Sequence, residues 1–274
     1  MPKFSRQLSL FAFLLLPISL AIMGLIFKDQ LGDLVATNDK EKPRVMLWAW
    51  ETPSDLRWID SKQIGVAFLA ETITLYGDHV WAKPRMQPLK VSPETFLTCV
   101  IRIESSNRDK PTHSDTQLER VVKSVLEKSE LPGVRSVQID FDARVSERQF
   151  YKSLLTRLRK ELPAAKTLSM TALASWCIGD RWLANTSADE IVPMFFSMGA
   201  DSKEVADYLK TGKTVHSFSR QKAIGLAENS SEFIELISEN NKKELLGGRR
   251  LYLFSARTWT KDKMEQLLRK VGTI

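Results

Sequence analysis

The chain has 274 residues, 43% of them hydrophobic and 27% charged, which fits one large globular domain with an ample core. The formal charge of +7 is modest and holds no long basic run, since Lys242-Lys243 and Arg249-Arg250 read as solvated pairs; this argues against nucleic acid as a partner, which needs a concentrated basic face. Cys99 and Cys177 sit in apolar runs and give no disulfide framework, and His79, His113 and His216 are isolated, so neither a metal nor an organic cofactor is expected.

In chain order, residues 1–7 carry Lys3 and Arg6, and an apolar stretch of 20 residues follows from Leu8 to Phe27. That length crosses a bilayer as one hydrophobic helix, and the basic flank places the N-terminus in the cytoplasm. A cleaved signal peptide is the competing reading, with Ser19-Leu20-Ala21 as a small-x-small site. Residues 1–27 are thus a membrane anchor or a signal peptide, 28–43 a polar tether, and 44–274 the folded domain. On either reading that domain is exported. It is held on the bacterial inner membrane in the periplasm or outside the cell, or it is secreted after cleavage.

From residue 44 onward, strand-like runs occur at Arg44–Trp50, Ile64–Leu75, Phe96–Glu104, Val134–Asp142, Thr167–Cys177, Glu190–Met198, Ala223–Glu228 and Arg250–Arg257. They are mostly continuous apolar runs, as in parallel strands covered on both faces. Amphipathic helical stripes lie between several of them. One is Leu118, Val121, Val122, Val125 and Leu126; a second is Phe150, Tyr151, Leu154, Leu155 and Leu158, opened by a Ser146-x-x-Gln149 capping box. Shorter stripes hold Val205, Tyr208 and Leu209, and Phe233, Ile234 and Ile237; the last carries Met264, Leu267, Leu268 and Val271 behind a Thr260 cap. A short helix is expected at Ser54–Asp60, and a hairpin-like excursion between Tyr76 and Thr95. Eight strands alternating with helices predict an α/β fold of the (β/α)8 TIM-barrel type, preceded by the hydrophobic helix.

In such a barrel the site lies at the C-terminal strand ends. Those ends supply Trp48, Trp50 and Glu51; Glu71; Arg102 and Glu104; Asp140 and Asp142; Ser175 and Trp176; Ser197 and Met198; Glu228; and Ser255, Arg257 and Trp259. Asp140 and Asp142 are two apart at the end of an apolar strand, so they share a face and repel each other. Acids, arginines and tryptophans at one mouth fit a saccharide, whose ring has one apolar face and a rim of hydroxyls. Other readings stand beside this one: barrel packing for Trp48 and Trp50, a structural ion pair for Arg102 with Glu104, and acids at helix N-termini for Glu71 and Glu228.

The segments L-W-A-W-E, G-V-A-F-L-A-E-T, Q-I-D-F-D-A-R with S-E-R-Q-F-Y, T-A-L-A-S-W-C and V-P-M-F-F-S-M-G together resemble a bacterial domain-of-unknown-function family, numbered 3142, over most of 44–259. That resemblance implies an exported barrel of unassigned activity. The strand ending I-D-F-D is also similar to the D-x-x-D-x-D-x-E signature of chitinase-like glycosidases of family eighteen. Asp140 and Asp142 match its second and third acids, Val137 replaces the first, and Arg144 stands where the catalytic glutamic acid would be. The family's substrate-assisted mechanism therefore does not carry over.

Two functions follow as expectations. In a glycoside-hydrolase-like barrel with its own acid pair, Asp142 is nucleophile or stabiliser, held ionised by Arg102 or Arg144, Glu228 on the opposite side of the mouth is the acid, and Asp140 stands beside them. In a non-catalytic saccharide-binding or scaffold protein of the bacterial envelope, Trp48, Trp50, Trp176 and Trp259 carry the contacts, and Glu51, Glu71, Arg102, Glu104, Arg144 and Arg257 hold hydroxyls.

Overall fold

The computed structural model describes residues 42–178, 182–211, 222–230, 233–236 and 246–272. The expected N-terminal hydrophobic helix, His216, Ile237 and the Lys242-Lys243 pair lie outside these residues. Among the described residues no helix is long and apolar enough to cross a membrane.

The strands are β1 (Val45–Ala49), β2 (Ser54–Asp55), β3 (Ile64–Tyr76), β4 (His79–Pro84), β5 (Leu89–Lys90), β6 (Leu97–Ser105), β7 (Val134–Phe141), β8 (Thr167–Leu173), β9 (Glu190–Met194), β10 (Ala223–Ala227) and β11 (Arg250–Phe254). Eight of them run parallel in the order β1-β11-β10-β9-β8-β7-β6-β3, and pairing of β1 with β3 closes the ring. This is the barrel that the eight apolar runs predict. Its outer face packs under α1 (Asp115–Ser129), α2 (Arg148–Glu161), α3 (Ser202–Lys210) and α4 (Lys261–Val271). The cap at Thr260 forms, its side chain accepting from the Lys263 amide at 3.3 Å.

Three local expectations are corrected. Ser54–Asp60 is no helix: Ser54 and Asp55 pair with Leu89 and Lys90 in a small two-stranded sheet, which buries Leu56 and Ile59. The Ser146 capping box does not form; the chain makes a 3-10 turn at Val145–Glu147, and the Glu147 carboxylate accepts the Arg144 amide at 2.7 Å. The strands of Thr167–Cys177 and Glu190–Met198 end early, at Leu173 and Met194. The excursion after β3 is a true hairpin, β4 pairing antiparallel with the upper half of β3.

Inside the ring, alternation sets Met46 and Trp48 of β1, Val192 of β9, Ala223 and Ala227 of β10 and Tyr252 of β11 against one another. The lower end of the barrel holds a buried ion cluster. Glu190 pairs with Lys42 and Arg250 and accepts from the Tyr252 hydroxyl at 2.9 Å. Burial works to raise the Glu190 carboxyl, and the two cations outweigh it, leaving the group below its ordinary range. Arg250 is therefore no solvated residue, and Lys42, expected in the tether, is buried under the barrel. Glu190→Ala leaves two buried cations without the carboxylate between them. The expected cost is about 3–5 kcal/mol, read as a lowered urea midpoint at neutral pH.

Candidate functional site

At the C-terminal strand ends opens a cavity of about 190 Å³. Its apolar wall is Trp48, Trp50, Met194, Phe196 and Phe254, completed by Leu173; its polar side is Arg102, Asp140, Asp142, Thr171 and Ser197. Each wall residue comes from strand parity or the turn just beyond. Trp50 continues the inward series Met46–Trp48, Phe254 follows Tyr252, and Met194 follows Val192.

Trp48 forms the floor. It is 2% exposed, its indole N–H donates to Gln138 Oε1 at 2.8 Å, and the Gln138 amide in turn donates to Ser169 Oγ at 3.2 Å. The ring packs 5.0 Å from Tyr252 and 5.8 Å from Phe196. β10 makes room for it with Gly225, where a Cβ would lie 2.9 Å from the indole Cη2. Phe196 and Phe254 stack at 5.2 Å, and Phe254 meets Trp50 edge-on at 5.7 Å. Ser197, after Phe196, holds φ at +52°, a left-handed conformation uncommon outside glycine, and so stores local strain at the rim.

The polar side is a row across neighbouring strands, with Thr72, Arg102 and Asp140 in register on β3, β6 and β7. Asp140 accepts from the Thr171 hydroxyl at 2.7 Å. Tyr151 of α2, fully buried on the outer face, donates to the Ile139 carbonyl at 3.0 Å and pins β7 from behind. Burial, and then the charge of Asp142, raises Asp140 from its ordinary 3.8 to about 6, against the Thr171 hydrogen bond and Arg102. Burial also raises Asp142, while Arg102 lowers it and Glu104 raises it. Asp140 therefore holds its proton up to about pH 6. Arg102 pairs with Glu104 at 2.9 Å and lies 5.9 Å from the Trp50 ring centre. It is both a structural ion-pair partner and a wall of the cavity.

The other sequence candidates fall elsewhere. Glu228 has the outward parity of β10, since Ala223 and Ala227 face inward; it accepts from Ser255 Oγ at 2.7 Å and lies 3.8 Å from Lys263. It shares a groove beside α4 with Arg257, so the structure does not bring Glu228 to Asp142 across the mouth. Glu71 is turned to the outer face by a bulge between Leu69 and Glu71; buried at 3% exposure, it meets Ser124 and Lys128 of α1. Trp176 is buried in the 3-10 turn after β8 against Trp182, 4.9 Å away. Trp259 is buried too, its N–H donating to the Trp48 carbonyl at 2.9 Å. Glu51 is exposed and 3.3 Å from Lys83. Arg144 is exposed and bonded to Asn107; it flanks a second pocket of about 180 Å³ with Asp140, Asp142 and Glu104 but forms no ion pair with either aspartate. Thr171, Met194, Phe196 and Phe254 are cavity residues that the sequence reading missed. The alternation through Tyr252 and Val192 was the signal for Phe254 and Met194.

The fold is similar to the catalytic domain of a family GH18 chitinase from the fern Peteris ryukyuensis, with TM-score 0.51 and 11% identity over 83% of this chain and 98% of that one. It is similar as well to a Streptomyces coelicolor protein designated chitinase A, with TM-score 0.52 and 11% identity over 84% and 95%. The Bacillus cereus spore cortex-lytic enzyme SleL aligns at 17% identity and TM-score 0.42 over 68% of this chain, which spans 51% of that protein. No family model and no curated protein matches the sequence. At these identities the likeness establishes the barrel.

Two outcomes test this geometry. Gly225→Ala should push the Trp48 ring out of its seat and cost about 1–3 kcal/mol, checked by thermal unfolding. For Asp140, the unfolded chain loses its proton near 3.8 and the folded chain near 6, so stability falls as pH rises through that window and the loss is complete above it. Asp140→Asn removes this component. Urea midpoints should favour the variant above about pH 6 and show no such gain below 3.8.

Proposed function

We propose that the chain is a saccharide-binding barrel that seats one sugar ring in the mouth cavity. The observation that carries this is the meeting, in one cavity, of the Trp50 and Phe254 rings with the Asp140, Asp142 and Arg102 side chains. Aromatic faces suit the C–H face of a pyranose, carboxylates accept from its hydroxyls, and a guanidinium donates to them. The 190 Å³ available falls below the roughly 300–1,000 Å³ of ligand pockets, which suits a single ring at this point. The chitinases of similar fold make chitin-type oligosaccharides the first ligands to test. The 20-residue apolar run from Leu8 to Phe27 with its basic flank supports export to the envelope, either anchored or cleaved, and the segments that resemble family 3142 fit the same exported barrel.

Binding without turnover is the better reading, because the two acids that line the cavity lie on one strand. Hydrolysis sets two carboxyl groups on either side of the glycosidic bond, about 5–5.5 Å apart for retention or about 6.5–9.5 Å for inversion. Asp140 and Asp142 reach from the same side, Glu228 is in another groove, and Arg144 occupies the position of the signature glutamate. One observation favours a second reading: Asp140, raised to about 6 by burial and then by the charge of Asp142, has the form of a general acid. Calorimetry with chitin-type oligosaccharides should show binding that Trp50→Ala weakens about tenfold or more, with no reducing ends released. Release of reducing ends that disappears in Asp140→Asn would replace the binding reading with the hydrolytic one. If no saccharide binds, both readings fall.

A further inference from the structure

The parallel sheet does not stop at the mouth. β3 and β6 run past the barrel rim, and β4 adds an antiparallel strand to the projecting part. Below the bulge, Val66, Phe68 and Ala70 face outward; above it, Ile73 and Leu75 do, packed beneath the helices. Thr72, Thr74 and Tyr76 therefore take the opposite face, the one that carries Arg102 and Glu104 on β6. Residues directly opposite in an antiparallel pair share a face. The pairs Thr72 with Lys83, Thr74 with Trp81 and Tyr76 with His79 thus put Lys83, Trp81 and His79 on that face too.

The registers make one row of this face: Trp81 opposite Thr74, Thr74 beside Glu104, and Glu104 one step beyond the pairing of Ile103 with Phe141, next to Asp142. At about 4.8 Å between strands the row measures about 14 Å from Trp81 to Asp142. Trp81 is 54% exposed and is the one aromatic among the large exposed hydrophobics of the described residues. A lone exposed apolar side chain is ordinary on a protein surface. An indole at the end of a polar row that leads into an aromatic-walled cavity is a different case.

The hairpin is also braced at both ends. At its tip, the Thr112 and Ser114 hydroxyls bond Asp78, and the Gln117 amide donates to the carbonyls of Gly77 at 3.1 Å and His79 at 2.8 Å. At its base, Arg85 donates to the carbonyls of Ala49, Trp50 and Thr52 at the end of β1. The face is held in place before any ligand arrives, which lowers the cost of binding to it.

We infer that the mouth-facing side of the β3–β4 hairpin is a second saccharide subsite, where Trp81 stacks on sugar units that extend outward from the ring in the cavity. This rests on the saccharide reading of the mouth. The bound saccharide is then an oligomer, with its first unit in the cavity and later units along Glu104 and Thr74 to Trp81. Lys83, tied to Glu51, offers a donor at the inner margin of the same face.

The test is calorimetry on the full-length chain in detergent, with chitin-type oligosaccharides of one to six units. Affinity should rise with length. Trp81→Ala should remove that rise, weakening the long oligomers roughly three- to tenfold, and should leave the one- and two-unit ligands unchanged; Trp81→Phe should restore most of it. The exposure of Trp81 keeps the variant folded, which circular dichroism checks. A length-dependent rise that survives Trp81→Ala overturns the inference. So does a wild-type affinity that stays flat with length; in that case binding of the short ligands and its loss in Trp50→Ala leave the reading of the mouth intact. If no oligosaccharide binds at any length, both are overturned.

Discussion

The structure above the barrel depends on the placement of one indole. Trp48 fills the centre of the ring, anchored through its N–H to Gln138 and fitted against Gly225, Tyr252 and Phe196. It separates two environments. Beneath it the interior closes on the Lys42–Glu190–Arg250 cluster, where charges are neutralised within the protein. Above it the interior opens, and the inward positions of the same strands become cavity wall. The depth of the mouth, and the burial that raises Asp140, follow from how high that floor stands.

The carboxylates at the mouth are shaped by what lies beside them. Asp140 and Asp142 share a face at the end of β7, and the charge of Asp142 adds to burial in making the ionisation of Asp140 harder. Arg102, in register with Asp140 and paired with Glu104, supplies the positive charge that the site tolerates close by. The arrangement gives hydrogen-bond acceptors that hold fixed positions against an aromatic wall. The carboxylate partner across a bond that hydrolysis asks for is absent from this cavity among the described residues, because the candidate on β10 faces the other way.

Much of this was legible in the chain. Continuous apolar runs marked all eight barrel strands, and the stripe of Phe150, Tyr151, Leu154, Leu155 and Leu158 marked the helix that backs β7. The shared face of Asp140 and Asp142 followed from period two alone. The misplaced residues went astray for different physical reasons, and Glu228 was taken from a strand end by position and not by parity. Counting inward from Ala223 and Ala227 turns Glu228 outward. For Glu71 even parity misleads, because the bulge at Leu69/Glu71 inserts a residue and reverses the faces above it. Trp176 and Trp259 lie past the ends of β8 and β11, where the chain leaves the strand and buries them against the outer core. No single-strand pattern reports such a change of course, since it depends on which neighbours accept the ring.

The most direct measurement is a crystal structure of the protein soaked with a chitin-type tetrasaccharide. The account predicts one ring above Trp48, against Trp50, with its hydroxyls on Asp140, Asp142 and Arg102, and the remaining units leaving along the hairpin. Sugar density in the groove of Glu228 and Arg257 with the mouth empty would contradict it.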